Sequence, residues 1–111
     1  MVGALVVFAF LGVAQVAAVQ HARMMLADAA AEGARIAARA DRTDADGLAR
    51  TRELVASSLS PTYPMDAEAG RVIRDGLSLV AITVTAPVPV LGLPGPAGMI
   101  TVTGHALEEQ P

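Results

Sequence analysis

The first 22 residues of this 111-residue chain carry no charge, and all nineteen charged side chains lie between Arg23 and Glu109. From Met1 to Val19 the only strongly polar side chain is Gln15; the rest are Val, Ala, Leu, Phe, Gly and Met. A helix rises about 1.5 Å per residue, so roughly 20 residues span a hydrocarbon core of about 30 Å. The stretch just meets that length, and Val2, Leu5, Phe8, Phe10, Leu11, Val16 and Val19 are its expected lipid-facing membrane residues. Three readings compete. A retained membrane helix fits best. A cleaved secretory signal would need a basic n-region, which is missing, although Ala14-Gln15-Val16-Ala17-Ala18 could serve as a cleavage zone. A buried core helix would show one apolar stripe, whereas this segment is apolar all round, and the remaining 89 residues are few to wrap it.

No proline interrupts the stretch from His21 to Ala40, and Gly33 is its only glycine. Ala22, Met25, Leu26, Ala29, Gly33, Ile36, Ala37 and Ala40 recur at helical spacing. Arg23, Asp28, Glu32, Arg35 and Arg39 fall mostly elsewhere on the wheel, and Glu32 can pair with Arg35 across one turn. The pattern predicts one helix of about 40 residues that starts in lipid and ends in water. Ala29, Gly33 and Ala37 are small residues spaced by four, which lets another backbone come close. That backbone belongs either to the chain's own small domain or to a neighbouring subunit, and the two are compatible on different sides.

Two units follow: residues 1–22, the transmembrane part of the helix, and residues 23–111, a small soluble α+β domain that includes the rest of it. Thr43 and Asp46 resemble a capping box, and a second helix is expected from Asp44 to Leu59. Leu48, Val55 and Leu59 share its inner face, with Leu54 beside them. Pro61 and Pro64 stop it. The apolar period then drops from 3.6 to 2. Strands are expected over Gly70 to Arg74, Leu77 to Ala86 and Met99 to Gly104, with a hairpin at Asp75-Gly76. Val80, Ile82 and Val84 share one face of the middle strand. Four prolines between Pro87 and Pro96 forbid regular structure there. The apolar Val88, Val90, Leu91 and Leu93 in that loop either fold over the sheet edge or form a partner patch. The fold class is α+β: a long N-terminal helix, half membrane and half amphipathic, then a short second helix and a small antiparallel sheet.

No catalytic arrangement emerges. Net charge −3 and three aromatics (Phe8, Phe10, Tyr63) leave neither a basic face nor a stacking platform, so no nucleic-acid partner is expected. The absence of cysteine removes thiol nucleophiles and thiolate metal sites. His21 and His105 are isolated, with His105 expected after the last strand. Asp41, Asp44 and Asp46 alternate as calcium ligands can, but the run lacks the rest of an EF-hand loop, and capping explains it better. Glu108 and Glu109 read as a solvated tail. No cofactor, metal or small-molecule substrate is expected, and an enzyme is disfavoured for want of a paired acid/base or nucleophile arrangement.

The run from Gln20 to Arg39 (QHARMMLADAAAEGARIAAR) follows an apolar helix and precedes a hairpin-rich end. This order resembles the TadE-like family of minor pilins or pseudopilins of the tight-adherence (Flp, type IVb) pilus system. The family's alanine-rich A-x-x-G-A-R-x-A-like run corresponds to Ala30–Ala37. Leu79–Thr85 matches its β-strand, and Val102–Glu109 matches its final strand with small and acidic residues. Arginine-only, alanine-rich usage also fits a GC-rich bacterial genome, such as an actinobacterium's.

The resemblance implies a pilin-like fold and a non-enzymatic subunit of pilus assembly. Its partners would be other pilin or pseudopilin subunits, the assembly machinery and membrane lipid. Ala29, Gly33, Arg35 and Ala37 would be subunit-packing residues. The location would be the cell membrane, single-pass, with the C-terminal domain extracytoplasmic and eventual incorporation in a surface pilus. Two departures stand out. The family's basic leader, cleavage-site glycine and early glutamate do not precede Val13, so either the chain starts late or it is not processed that way. Arg23, Arg35 and Arg39 follow the apolar segment, which by charge alone would put the C-terminus in the cytoplasm. Asp28 and Glu32 weaken that signal, and the reading follows the family. The alternative is a small binding domain of the bacterial envelope, secreted or membrane-anchored.

Overall fold

A computed structural model describes residues 1–59, 64–87 and 99–108. α1 runs unbroken from Val2 to Ala37. Its first half has Gln15 as its one strongly polar side chain, too little to define a polar face. Its second half has a one-sided set of small residues, and Ala22, Leu26, Ala29, Ala30, Gly33, Ala34 and Ala37 are buried. The helix stops a turn short of Ala40, closed by the Ala38 N–H on the Ala34 carbonyl at 2.9 Å and the Arg39 N–H on the Ile36 carbonyl at 3.2 Å.

α2 spans Asp44–Ser58, one residue short of the expected end. The capping box forms as expected: the Asp46 N–H donates to Thr43 Oγ1 at 3.2 Å, and the Thr43 N–H donates to Asp46 Oδ2 at 2.9 Å. Two donors that the first turn would leave unmatched are thereby satisfied. Val55 is buried, and Leu48, Leu54 and Leu59 pack partly buried against the core.

The sheet is an antiparallel meander in the order β1-β2-β3, with β1 Asp66–Arg74, β2 Leu77–Pro87 and β3 Met99–Leu107. Asp75 and Gly76 both take positive φ, 52° and 79°, which matches the two-residue hairpin the dipeptide announces. β1 starts four residues earlier than its composition suggests. Asp66-Ala-Glu-Ala is poor strand material, and pairing with Thr85 through Ile82 on β2 draws it into the sheet. β3 likewise runs three residues past Gly104, because His105, Ala106 and Leu107 find Ala81, Val80 and Leu79 opposite them. His105 therefore lies within a strand and not after it. The proline-rich stretch 88–98, with both of its expected roles, lies outside the described residues.

Val80, Ile82, Val84 and Ala86 form the inner face of β2 and are fully buried, together with Ile100 of β3 and Leu26 of α1. Both helices pack on this face, α1 over β2 and β3, and α2 toward β1. The molecule measures 66 × 31 × 19 Å, with a radius of gyration of 17.3 Å. A compact chain of this length would have a radius near 13 Å. The excess comes from the first half of α1, which projects from the head.

The Thr43 hydrogen bonds hold the Asp46 carboxyl below the usual aspartate range, since the ionised form is the acceptor. A lowered folded pKa means that the cap's contribution is complete at neutral pH and is lost as pH falls through that lowered value. Acid titration followed by circular dichroism should show α2 fraying below about pH 4, and Asp46→Asn should shift that transition.

Candidate functional site

Two parts of the molecule have properties that ask for a function: the projecting helix and the seam where α1 meets the head. On the projecting helix, Val2, Leu5, Phe8, Phe10 and Val16 are exposed, with Phe8 and Phe10 at 67% and 71%. Leu11 and Val19 are half-buried, and Val19 packs on the edge of the head's core. Leu11, Ala14, Gln15, Ala18 and Val19 continue the stripe that becomes Ala22 and Leu26 higher up. Among the described residues, α1 is the one helix long and apolar enough to cross a membrane, and its apolar window has no buried residue. Water would not tolerate that much bare hydrocarbon on a small protein.

At the seam, Ala29, Gly33 and Ala37 lie buried under the chain's own α2. The intramolecular use of their spacing is thus realised in the fold. A Cβ on Gly33 would fall onto Thr51 Oγ1 and within 2.8 Å of the Gly47 carbonyl oxygen. A Cβ on Gly47 would lie 2.6 Å from Ala37 Cβ. The two backbones therefore touch where neither helix has a side chain. Thr51 is completely buried, its hydroxyl 2.9 Å from the Gly47 carbonyl and 3.4 Å from the Ala29 carbonyl of α1. On the sheet side, a Cβ on Gly104 would strike the Ala31 backbone N and come within 2.5 Å of the Ala30 carbonyl carbon. Arg35 stays on the surface, paired with Glu32.

Gly47, Thr51 and Gly104 escaped the sequence reading. A signal was available for the first two: Gly47-x-x-x-Thr51 repeats the four-residue spacing of the facing Ala29-Gly33-Ala37. Gly104 inside a strand also marks a close approach of backbones.

The top of the head carries an ionic clasp. Arg71 donates to both carboxylate oxygens of Asp44, at 3.0 and 3.3 Å, and its Nε lies 3.2 Å from Glu108 Oε2. The bonds to Asp44 raise the Arg71 pKa further. The Ser78 hydroxyl donates to the same Glu108 oxygen at 2.7 Å, and the Glu108 N–H bonds the Ser78 carbonyl. Glu108 is therefore a structural partner and not a solvated tail, because β3 continues far enough to deliver it to Arg71. Asp41 pairs with Arg39 at 3.3 Å, so each of the three alternating aspartates has a structural task.

A shallow hollow of about 520 Å³ opens among Arg35, Ala38, Arg39, His105, Ala106 and Leu107. Its two arginines are already engaged by Glu32 and Asp41, so it is not a preformed anion site. His21 and His105 are both exposed and far apart in the fold. Among the described residues no group of three or more histidines and carboxylates is placed to hold a metal ion.

No protein-family model, curated protein or solved structure is significantly similar to this chain.

The seam predicts a sharp contrast between glycines. Gly33→Ala should cost about 1–3 kcal/mol through overpacking. Gly12→Ala, with nothing near its Cβ, should leave the unfolding temperature unchanged or slightly raised. Thermal denaturation of the detergent-solubilised protein, followed by circular dichroism, compares the two.

Proposed function

We propose that this chain is a non-enzymatic subunit, similar to minor pilins or pseudopilins, that takes part in assembling a tight-adherence type IVb pilus. The observation that carries the reading is α1 itself. A bare apolar half suited to lipid continues without a break into a half that forms the spine of a small α+β head. In such a subunit the lipid-borne half first holds the head at the membrane. It then exchanges lipid for other helices as subunits assemble. Lipid tails are as apolar as leucine, so the gain comes from close packing and not from net hydrophobic burial. Ala29, Gly33 and Ala37 are occupied by α2, which leaves Arg23, Met24, Asp28, Arg35 and the exposed side of the helix below Ala22 open to neighbours.

On this reading the head lies outside the cytoplasm, with a single pass through the membrane. Partners would be other pilin-type subunits and the assembly machinery. A second reading, a membrane-anchored or secreted binding domain of the bacterial envelope, is favoured by the outer face of the sheet. There Val72, Leu79 and Leu107 line up across the three strands, and Leu77 and Leu107 are exposed at 54% and 58%.

The chain has no cysteine, so one can be introduced as a reporter. Thr103→Cys, on the exposed face of β3, should react with a membrane-impermeant maleimide in intact cells. Wild type should stay with carbonate-washed membranes, whereas Phe8→Arg combined with Leu11→Arg should weaken insertion by several kcal/mol and release the protein. Filaments sheared from the native host should contain the chain, and its deletion should reduce piliation. Intact piliation in the deletion strain would reject the pilus reading and leave the envelope-domain reading standing.

A further inference from the structure

We infer that the base of the head is itself a lipid-contacting surface, a collar around the anchor that rests on the bilayer interface. This rests on the membrane reading of α1 and adds a second point of contact. The level of each element along α1 can be read from its contacts. Gly104 sits against Ala30 and Ala31, and Leu107 shares a hollow with Ala38 and Arg39, so β3 and α1 run in the same direction. Met99 lies five residues before Gly104, about 16 Å of strand. That distance equals about 11 residues of helix, which brings Met99 level with Val19 and Gln20. α2 runs the other way, with Gly47 beside Gly33 and Ala37, and Thr51 beside Ala29. Its last residues therefore descend to the same level. The described part of the head thus ends where the uncharged stretch of α1 ends.

Among the described residues, what stands at that level is mostly apolar. Pro64, Met65, Asp66, Thr85, Pro87 and Met99 surround a hollow of about 240 Å³ at the open end of the sheet. Met99 is 60% exposed, and Met65 is partly buried against the core. The last turn of α2, ending in Ser57-Ser58, has no basic residue. Among the described residues from the Met99 level up to Val102, Arg23 and Asp66 are the only charged side chains. The other end of the head, by contrast, bears Asp44, Arg71, Glu108, Arg39 and Asp41. Most of the described charges thus lie along the long axis away from the lipid side. Flexible methionines and prolines with only Arg23 and Asp66 as charged neighbours suit the boundary between headgroups and acyl chains, where an apolar face sinks by about 5–10 Å.

The chain contains no tryptophan, so single tryptophans report position without background. Four full-length variants are reconstituted in phosphatidylcholine vesicles: Phe10→Trp in the anchor, Met65→Trp and Met99→Trp at the base, and Leu107→Trp at the far end. Bromines are placed either near the carbonyl end or near the methyl end of the acyl chains. Phe10→Trp should be quenched by the deep bromines. Met65→Trp and Met99→Trp should lose about half their emission to the shallow ones, as expected for interfacial depth. Leu107→Trp, about 26 Å further along β3, should be unaffected by either. If Phe10→Trp is quenched but the base tryptophans match Leu107→Trp, the collar is overturned and the anchor stands. If Phe10→Trp is not quenched, the anchor reading fails and the collar fails with it.

Discussion

The backbone contact between α1 and α2 at Gly33 and Gly47 sets the rest of the structure. Two helices that meet without side chains between them leave room for the Thr51 hydroxyl and nothing larger. That closeness lets one alanine-rich face serve two neighbours. Ala29, Gly33 and Ala37 meet α2, while Ala30 and the Ala31 backbone meet β3 at Gly104. A core built from so many alanines gains little per residue from burial, so it depends on dispersion at short range. The larger side chains come from the other elements: Leu26, Val55, Ile82, Val84 and Ile100 fill the space between helices and sheet.

Much of this was legible in the residues, and what was not has a physical reason. The capping box at Thr43 and the Asp75-Gly76 turn are local, so neighbours in sequence are enough to specify them. The inner face of β2 follows from strict alternation. The boundaries that moved belong to segments whose state is set by a distant partner. Asp66-Ala-Glu-Ala becomes strand only because β2 is already there, and His105 to Leu107 only because Leu79 to Ala81 stand opposite. Glu108 was misread for the same reason, since no local pattern announces Arg71, thirty-seven positions earlier in the chain.

The candidate site divides in the same way. A membrane-type helix is visible from composition alone, because a missing charge is a one-dimensional property. Which surface takes Ala29, Gly33 and Ala37 is a three-dimensional question, and the spacing that raised it could not choose between the chain's own α2 and a neighbour. Its counterpart at Gly47 and Thr51 was present in the same form. Two matching small-residue repeats in one short chain are a pairing signal when read together, as either one read alone is not.

The unbroken course of α1 also makes the molecule a lever. With no proline, and with Gly33, its one glycine beyond Gly12, buttressed by α2, the helix offers no hinge between its lipid-type half and the head. Helices that span bilayers lean by about 20° on average. From the level of Gln20 to the end of α1 is about 25 Å, so a lean of that size swings the top of the head sideways by about 9 Å. The angle at which the greasy rod stands thereby dictates which flank of the head meets its surroundings, and a change in bilayer thickness would reach the hairpin tip as a displacement with no rearrangement inside the protein.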